Sequence, residues 1–265
     1  MRYMRLYWYF FLQKVKSLWQ YRVDFLVGCF SIVFGQLIGL LVINVAFVNI
    51  PDMYGWQKYE VGLMYGFAIV SRGIAHIFFD NLWKLGDRYI RQGELVRVLI
   101  RPINPLVHVM ADRIQLDGIG TLISGIAFTV YAITHLDITI TGILILKLFY
   151  YAILGSLIYF GVNLFTATLS FWIVDSVPLT YAVFNCGELT RYPLDILSGG
   201  FRKIFTFLIP FAFTSYFPIV DILGKSQPFL SGNIMLNTLI IVVCLLTVSY
   251  SVWLVGLRNY TGTGS

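Results

Sequence analysis

The amino-acid sequence predicts an all-α, polytopic membrane protein with about six transmembrane helices. Of its 265 residues, 58% are hydrophobic and only 12% are charged. A soluble domain of this size needs far more charge to cover its surface. A bilayer crossing takes about 20 mostly apolar residues, so six crossings use about half of the chain. The remainder suffices only for loops and surface helices, and we predict a single transmembrane domain over residues 1–265.

The first 23 residues are amphipathic at helical spacing. Arg, Lys, Gln and Tyr side chains occupy one face, and apolar side chains occupy the other, namely Met4, Trp8, Phe11, Val15 and Leu18. This pattern predicts an interfacial helix over 1–23 that lies at the level of the lipid headgroups. A solvated basic tail is the alternative.

Six apolar runs follow, and they predict spans at about 25–47, 59–79, 118–134, 143–174, 204–220 and 234–257. The fifth run is short and contains Pro210 and Pro218. Two polar stretches interrupt the pattern, at 80–113 and 175–203. We predict that both are cytosolic, the second as a segment on the membrane surface.

Basic residues set the predicted orientation. With both termini in the cytosol, fifteen of the 19 Lys and Arg residues fall on the cytosolic side, as the positive-inside rule requires. These residues flank apolar runs, which indicates contact with a lipid membrane and no nucleic-acid partner. We therefore predict a multi-pass protein of a bacterial-type plasma membrane with both termini cytosolic.

The chain lacks the motifs of common catalytic sites. It has no phosphate-binding loop of the form G-x-x-x-x-G-K-[ST], no H-E-x-x-H and no G-x-S-x-G, so we predict no catalytic and no metal-binding residues. Every carboxylate lies near the end of a predicted span, which argues against an ion-coupled secondary transporter. That class, and a membrane enzyme that modifies lipids, remain the alternatives to the function inferred below.

Two cations lie within the predicted spans. Arg72 is in the cytosolic half of the second span, and it is a candidate contact for an anionic substrate or headgroup. The alternative is an arginine that reaches toward the interface or pairs with a neighbouring span. Lys147 lies near the outer end of the fourth span, where reaching toward the interface explains it.

Small residues at helix-packing spacing occur twice. Gly35 and Gly39 lie in the first span, and Gly62 and Gly66 lie in the second. G-x-x-x-G spacing lets two helices approach closely, either within this chain or between chains.

The stretch 85–105 predicts a short helix that projects from the membrane. Gly93 ends the helix that emerges from the second span, residues 94–100 form a new helix, and the Arg101-Pro102 pair stops it. Leu95, Val98 and Leu99 provide an apolar ridge that a partner protein can bind. The candidate site comprises Gly93, Glu94, Leu95, Arg97, Val98, Leu99, Arg101 and Pro102.

This segment also carries a family resemblance. Ile-Arg-Gln-Gly-Glu-Leu over 90–95, followed by Leu-Ile-Arg-Pro over 99–102, resembles the signature of one branch of the ABC-2 type permeases. These proteins are the membrane subunits of type-2 ATP-binding-cassette (ABC) exporters. The proline-containing run 205–218 and the C-terminal run 253–260 are similar to the same family. Leu95 stands where this branch often has Asp.

The resemblance implies a mechanism and a set of partners. The helix over 1–23 would be the elbow helix, and the Gly93–Arg101 helix would be the coupling helix, seated on an ATP-binding ABC subunit that holds ATP and Mg²⁺. This chain itself would hold no cofactor. It would pair with a second permease, identical or related. Pro210 and Pro218 would break the fifth span at an outer gate or dimer interface. The expected cargo is a lipid, an envelope component or a hydrophobic compound.

Overall fold

The computed structural model describes residues 22–173, 176–226, 230 and 232–261. The interfacial helix expected over 1–23 lies, except for its last two residues, outside this part of the chain. The described residues contain no strand, so the predicted all-α class is confirmed. Their α-helices are α1 (Arg22–Asn49), α2 (Lys58–Phe79), α3 (Glu94–Leu99), α4 (Pro105–Asp112), α5 (Gly118–Thr134), α6 (Gly142–Thr168), α7 (Val177–Gly187), α8 (Gly199–Lys203), α9 (Tyr216–Leu223) and α10 (Ile234–Asn259).

Four helical stretches are long and apolar enough to cross a membrane. They are Phe25–Val48, Lys58–Arg91, Gly142–Phe171 and Ile234–Asn259. The apolar helix α5 is shorter. These five agree with the predicted spans one to four and six, and the total of six crossings stays a prediction.

Side-chain caps fix where several of these helices begin. The Thr141 side chain accepts a hydrogen bond from the Leu144 amide at 3.2 Å before α6. The Asn233 side chain accepts one from the Met235 amide at 2.9 Å before α10. Each cap satisfies an amide that has no partner inside its helix. The apolar runs therefore become helices with defined starts.

Helix α2 lies at the centre of the bundle, packed between α5 and α6. Its contact with α5 is close because glycines stand where the two backbones meet. A Cβ atom at Gly125 would lie 2.6 Å from the Val70 nitrogen, and one at Gly66 would lie 2.7 Å from the Thr129 nitrogen. Gly66 thus packs within this chain. A Cβ atom added at Gly35 of α1 would have no neighbour within 4 Å. This glycine therefore makes no close helix contact with the described residues.

Aromatic contacts between neighbouring parts of the fold define the two ends of the bundle. At the Trp56 end, which holds the loop between α1 and α2, Tyr59 stacks on His135 with ring centroids 4.7 Å apart. At the Asp80 end, beyond the last turn of α2, Phe171 packs on Trp253 at 5.6 Å. Between these ends α2 has 22 residues and is about 33 Å long, enough to cross the apolar core of a bilayer.

Residues 177–196 run from one end to the other. In α7 the Tyr181 ring contacts Trp83 at 4.6 Å, at the Asp80 end. Farther along, the Trp56 indole Nε1 donates to the Asp195 carboxylate at 2.9 Å, at the opposite end. This stretch therefore follows the full length of α2.

Residues 197–225 start and finish at the Trp56 end. The Ser71 hydroxyl donates to the Thr214 carbonyl at 3.3 Å, about 20 Å along α2 from its start. The chain then returns, and Lys225 pairs with Glu60 at 2.6 Å. The segment enters the bundle and leaves it on the same side.

These contacts correct two expectations from the sequence. Residues 175–203 are not one surface segment, and 204–220 is not a span that joins the two ends. Residues 177–196 include polar residues and prolines, among them Glu188, Arg191 and Pro193. For this reason the sequence did not predict that the stretch runs from one end of the bundle to the other. Arg191 is partly buried and finds polar partners: it pairs with Glu188 of the same stretch, and its Nη1 donates to the Gln36 side-chain oxygen Oε1 at 3.5 Å. A stretch whose polar side chains find partners in the protein does not need an apolar sequence throughout.

Candidate functional site

Helix α3 forms where α2 loses its regular geometry. After α2 the chain continues as a 3₁₀ turn, Asp80–Lys84, and a π-helix, Leu85–Arg91. Gly93 then adopts a left-handed conformation with φ 74°, which turns the chain into α3. Glycine adopts this conformation without the steric cost that a Cβ atom brings. The helix ends at Leu99, one residue before its predicted end and ahead of Pro102, so the predicted short helix and its start at Glu94 are confirmed.

One face of α3 is buried in its own chain. Leu95 is 0% exposed and Val98 is 3% exposed, in a cluster with Tyr89, Leu106 and Trp253. The prediction that Leu95 and Val98 belong to an exposed ridge is therefore wrong. Their apolar side chains secure the helix, because positions three apart share one helical face.

The exposed face of α3 carries a different set of apolar residues. Leu99 is 41% exposed, Val96 is 46% exposed and Ile100 is 79% exposed, and the Arg97 and Arg101 side chains are also exposed. We call these five residues the α3 surface. Sequence reasoning missed Val96 and Ile100, although the helical period that buries Leu95 and Val98 places them opposite.

Ion pairs hold α3 to its neighbours. Arg88 of the π-helix contacts Glu94 at 2.7 Å and Asp112 of α4 at 3.1 Å. The Tyr89 hydroxyl donates to the same Asp112 carboxylate at 2.8 Å. Glu94 thus joins the first turn of α3 to the continuation of α2, where a carboxylate also suits the helix N-terminus.

Arg101 is bound to His108 of α4. Its Nη1 lies 3.1 Å from the His108 Nε2, which accepts when the ring is neutral. Burial, and then the charge of Arg101, lower the pKa of His108, while Asp112 acts in the opposite direction. A neutral imidazole therefore keeps the two helices together near pH 7.

Arg72 is bound within its own helix. Its guanidinium forms a two-point contact with Asp80, with nitrogen–oxygen distances of 2.9 and 2.6 Å. The same group lies over the rings of Phe184 and Tyr159, at 5.2 and 5.7 Å from their centroids. The arginine is thus paired with the carboxylate that follows its own helix, whereas the alternative interpretation expected an ion pair with a neighbouring span. It also lines a cavity of about 490 Å³.

Pro210 and Pro218 are both buried in this chain. Pro210 stands between the π-helix Ile204–Leu208 and the 3₁₀ turn Phe211–Thr214, so it interrupts the helix as expected. Pro218 lies in the first turn of α9, where its missing amide has no partner to lose. Both prolines belong to residues 197–225, which we call the inserted segment because it enters the bundle and leaves it on the same side. Their role in a gate stays a prediction.

The fold and this site define a helical, multi-pass membrane protein with a short, firmly anchored helix at the end of the bundle. The model of the ABC-2 family transporter proteins matches residues 30–264, and the chain belongs to that family. It is a membrane permease subunit of an ABC transporter, a class that works with an ATP-binding ABC subunit. No curated protein and no solved structure matches the chain.

Proposed function

We propose that this chain is the permease of an ABC exporter. It moves a lipid, an envelope component or another hydrophobic compound outward, with ATP and Mg²⁺ bound by a separate subunit. The observation that carries the proposal is the anchored helix α3 with its exposed α3 surface. Two permeases, identical or related, would form the transport unit in a bacterial-type plasma membrane.

The composition of the α3 surface supports docking of a protein. Leu99 and Ile100 offer an apolar centre, and Arg97 and Arg101 flank it. Interfaces between proteins combine an apolar core with a polar rim, and arginine is enriched in them. An ATP-binding subunit that grips this surface would push on a rigid element, because Leu95 and Val98 are buried behind it.

The connection from α3 to the bundle supports transmission of movement. Glu94 is paired with Arg88, which belongs to the uninterrupted helical continuation of α2. Displacement of α3 would therefore move the end of α2 that carries Arg72 and Asp80. In this proposal the Asp80 end faces the cytosol. The positive-inside bias favours that orientation even with Arg202 and Lys203 at the Trp56 end.

Co-purification with the ATP-binding subunit of its transporter tests the proposal. The double variant Leu99→Asp/Ile100→Asp places two carboxylates in the docking surface, where an unpaired buried charge costs several kcal/mol. We expect association to weaken at least about 100-fold while the permease stays folded. Tyr54→Asp is the matched control, since Tyr54 is 72% exposed at the opposite end of the bundle.

Association of the double variant at the wild-type level would remove α3 as the docking element. Absence of any complex with the wild-type chain would overturn the proposal as a whole.

A further inference from the structure

The cavity beside Arg72 has features that point to its ligand. It has a volume of about 490 Å³ at the Asp80 end, between α2 with its continuation and the start of α7. Its walls are mostly charged or aromatic, which is unusual for the interior of a membrane protein. The lining residues used below are Arg72, Trp83, Lys84, Arg91, Gln115 and Tyr181.

Most charges in this cavity are already balanced. Arg72 is paired with Asp80, and Arg91 is paired with Asp87. Lys84 is exposed, and it forms no ion pair with any residue that the structure describes. Among the lining residues that the structure describes, the cavity therefore presents one uncompensated positive charge.

Two residues that carry neutral donors, Trp83 and Gln115, line the same wall. The Trp83 indole Nε1 is buried and has no hydrogen-bond partner among the described residues, which is costly for an isolated donor. The side-chain amide of Gln115 also lines the space. One ammonium group with neutral N–H donors suits an oxyanion of single charge, such as a phosphodiester.

The rim of the cavity can accommodate an apolar chain. Tyr181 is 56% exposed, and its ring contacts Trp83 at 4.6 Å. Leu179 of the same helix is also exposed. Helix α7 begins the stretch that follows α2 along the bundle, so its exposed apolar side chains are placed to face lipid tails. A tail can then lie along α7 while its headgroup enters the cavity.

We propose that this cavity binds the phosphodiester headgroup of a singly charged anionic amphiphile, and that such a molecule is the class of cargo. Lys84 supplies the charge, and Trp83 and Gln115 donate hydrogen bonds to the phosphate oxygens. The assignment as cargo rests on the exporter function proposed above. The binding site itself does not.

Binding to the purified full-length chain tests the inference, without ATP and without the ATP-binding subunit. The probes are dioctanoyl-phosphatidylglycerol, dioctanoylglycerol with the same tails but no phosphate, and inorganic phosphate. We expect the first probe to bind at least about tenfold more tightly than the other two. If inorganic phosphate binds as tightly, the ligand is a free anion, and the proposal that the cavity binds an amphiphile is overturned.

Variants locate the site. We expect Lys84→Gln to weaken binding of dioctanoyl-phosphatidylglycerol about tenfold and Trp83→Phe about threefold or more, since phenylalanine keeps the ring contacts and removes the donor. Lys203→Gln is the matched control, because Lys203 is an exposed lysine outside the cavity. Unchanged affinity in both variants, or equal loss in the control, would overturn the site. A negative result here leaves the docking of α3 intact, and failed docking leaves this site intact.

Discussion

The Trp56 indole nitrogen donates a hydrogen bond to the Asp195 carboxylate at 2.9 Å, across 139 positions of the chain. The Tyr216 hydroxyl donates to the same carboxylate oxygen at 2.9 Å, and Arg202 lies 3.6 Å from the other oxygen. The Asp195 carboxylate therefore connects three parts of the chain, namely the loop before α2, the end of the 177–196 stretch and the inserted segment.

We expect Trp56→Phe to lower the thermal stability of the protein. The substitution removes a hydrogen bond to a charged acceptor, worth about 1.5–3 kcal/mol, and keeps most of the ring packing. Thermal unfolding of the detergent-purified chain measures the effect. Trp172→Phe is the control, because Trp172 is 49% exposed at the other end and loses no described bond. Equal shifts in both variants would show that the contact with Asp195 adds nothing.

The two glycines of the motif in α2 should respond in opposite directions to alanine. At Gly66 a Cβ atom meets the backbone of α5, so Gly66→Ala should destabilise the fold by about 1–3 kcal/mol. At Gly62 nothing lies within 4 Å, and Gly62→Ala should be neutral or stabilising by up to about 1 kcal/mol. Thermal unfolding of the two variants compares them directly. A stable Gly66→Ala protein would contradict the close packing of α2 on α5.

Gly93 should tolerate asparagine better than alanine. Its φ of 74° costs a residue with a Cβ atom about 1–2 kcal/mol, and asparagine accepts this conformation more readily. We expect Gly93→Ala to speed hydrogen exchange of the α3 amides, with a smaller effect for Gly93→Asn. Gly199→Ala is the control, since Gly199 begins α8 in open space without a positive φ. Exchange that is equally slow in all three variants would show that the turn is not needed.

Acid should loosen the contact between α3 and α4. Because the pKa of His108 is lowered in the folded protein, the unfolded segment binds more protons once the pH falls below about 6.5. The free energy that neutral His108 contributes to folding is thus present above that pH. It is lost as the pH falls toward the pKa of His108 in the folded protein. The protonated ring also cannot accept from Arg101.

Hydrogen exchange of residues 94–112 at about pH 7.5 and 5.5, corrected for the intrinsic rate, measures this effect. His108→Gln keeps an acceptor for Arg101 and does not titrate, so its protection should be the same at both pH values. An identical pH response in the wild type and the variant would exclude His108 as the cause.

Much of the bundle follows from the hydrophobic runs. The predicted spans 59–79 and 118–134 agree with α2 and α5 to within one residue. Both runs are mostly apolar, although 59–79 includes Arg72 and His76, and the chain around each is polar. The short helix after Gly93 was also predictable, because a glycine before it and a proline after it mark its ends.

The remaining errors have a physical origin. Residues 177–196 lie along α2, so Glu188 and Arg191 find partners in the protein and the stretch does not read as apolar. Lys147 was expected to reach toward the interface, but it pairs with Asp221 at 2.8 Å. Leu95 is buried in a cluster that includes Trp253 of α10, far along the chain, and no local pattern reveals such a cluster.

Site-directed disulfide formation at α3 tests the central claim most directly. The native cysteines Cys29, Cys186 and Cys244 are first replaced by serine. Ile100→Cys is then oxidised in the complex with an ATP-binding subunit that carries single cysteines in its surface groove. We expect a covalent product from Ile100→Cys and none from Leu95→Cys, because the Ile100 side chain is 79% exposed and that of Leu95 is fully buried. No product from Ile100→Cys at any groove position, in a complex that remains assembled, would contradict the account.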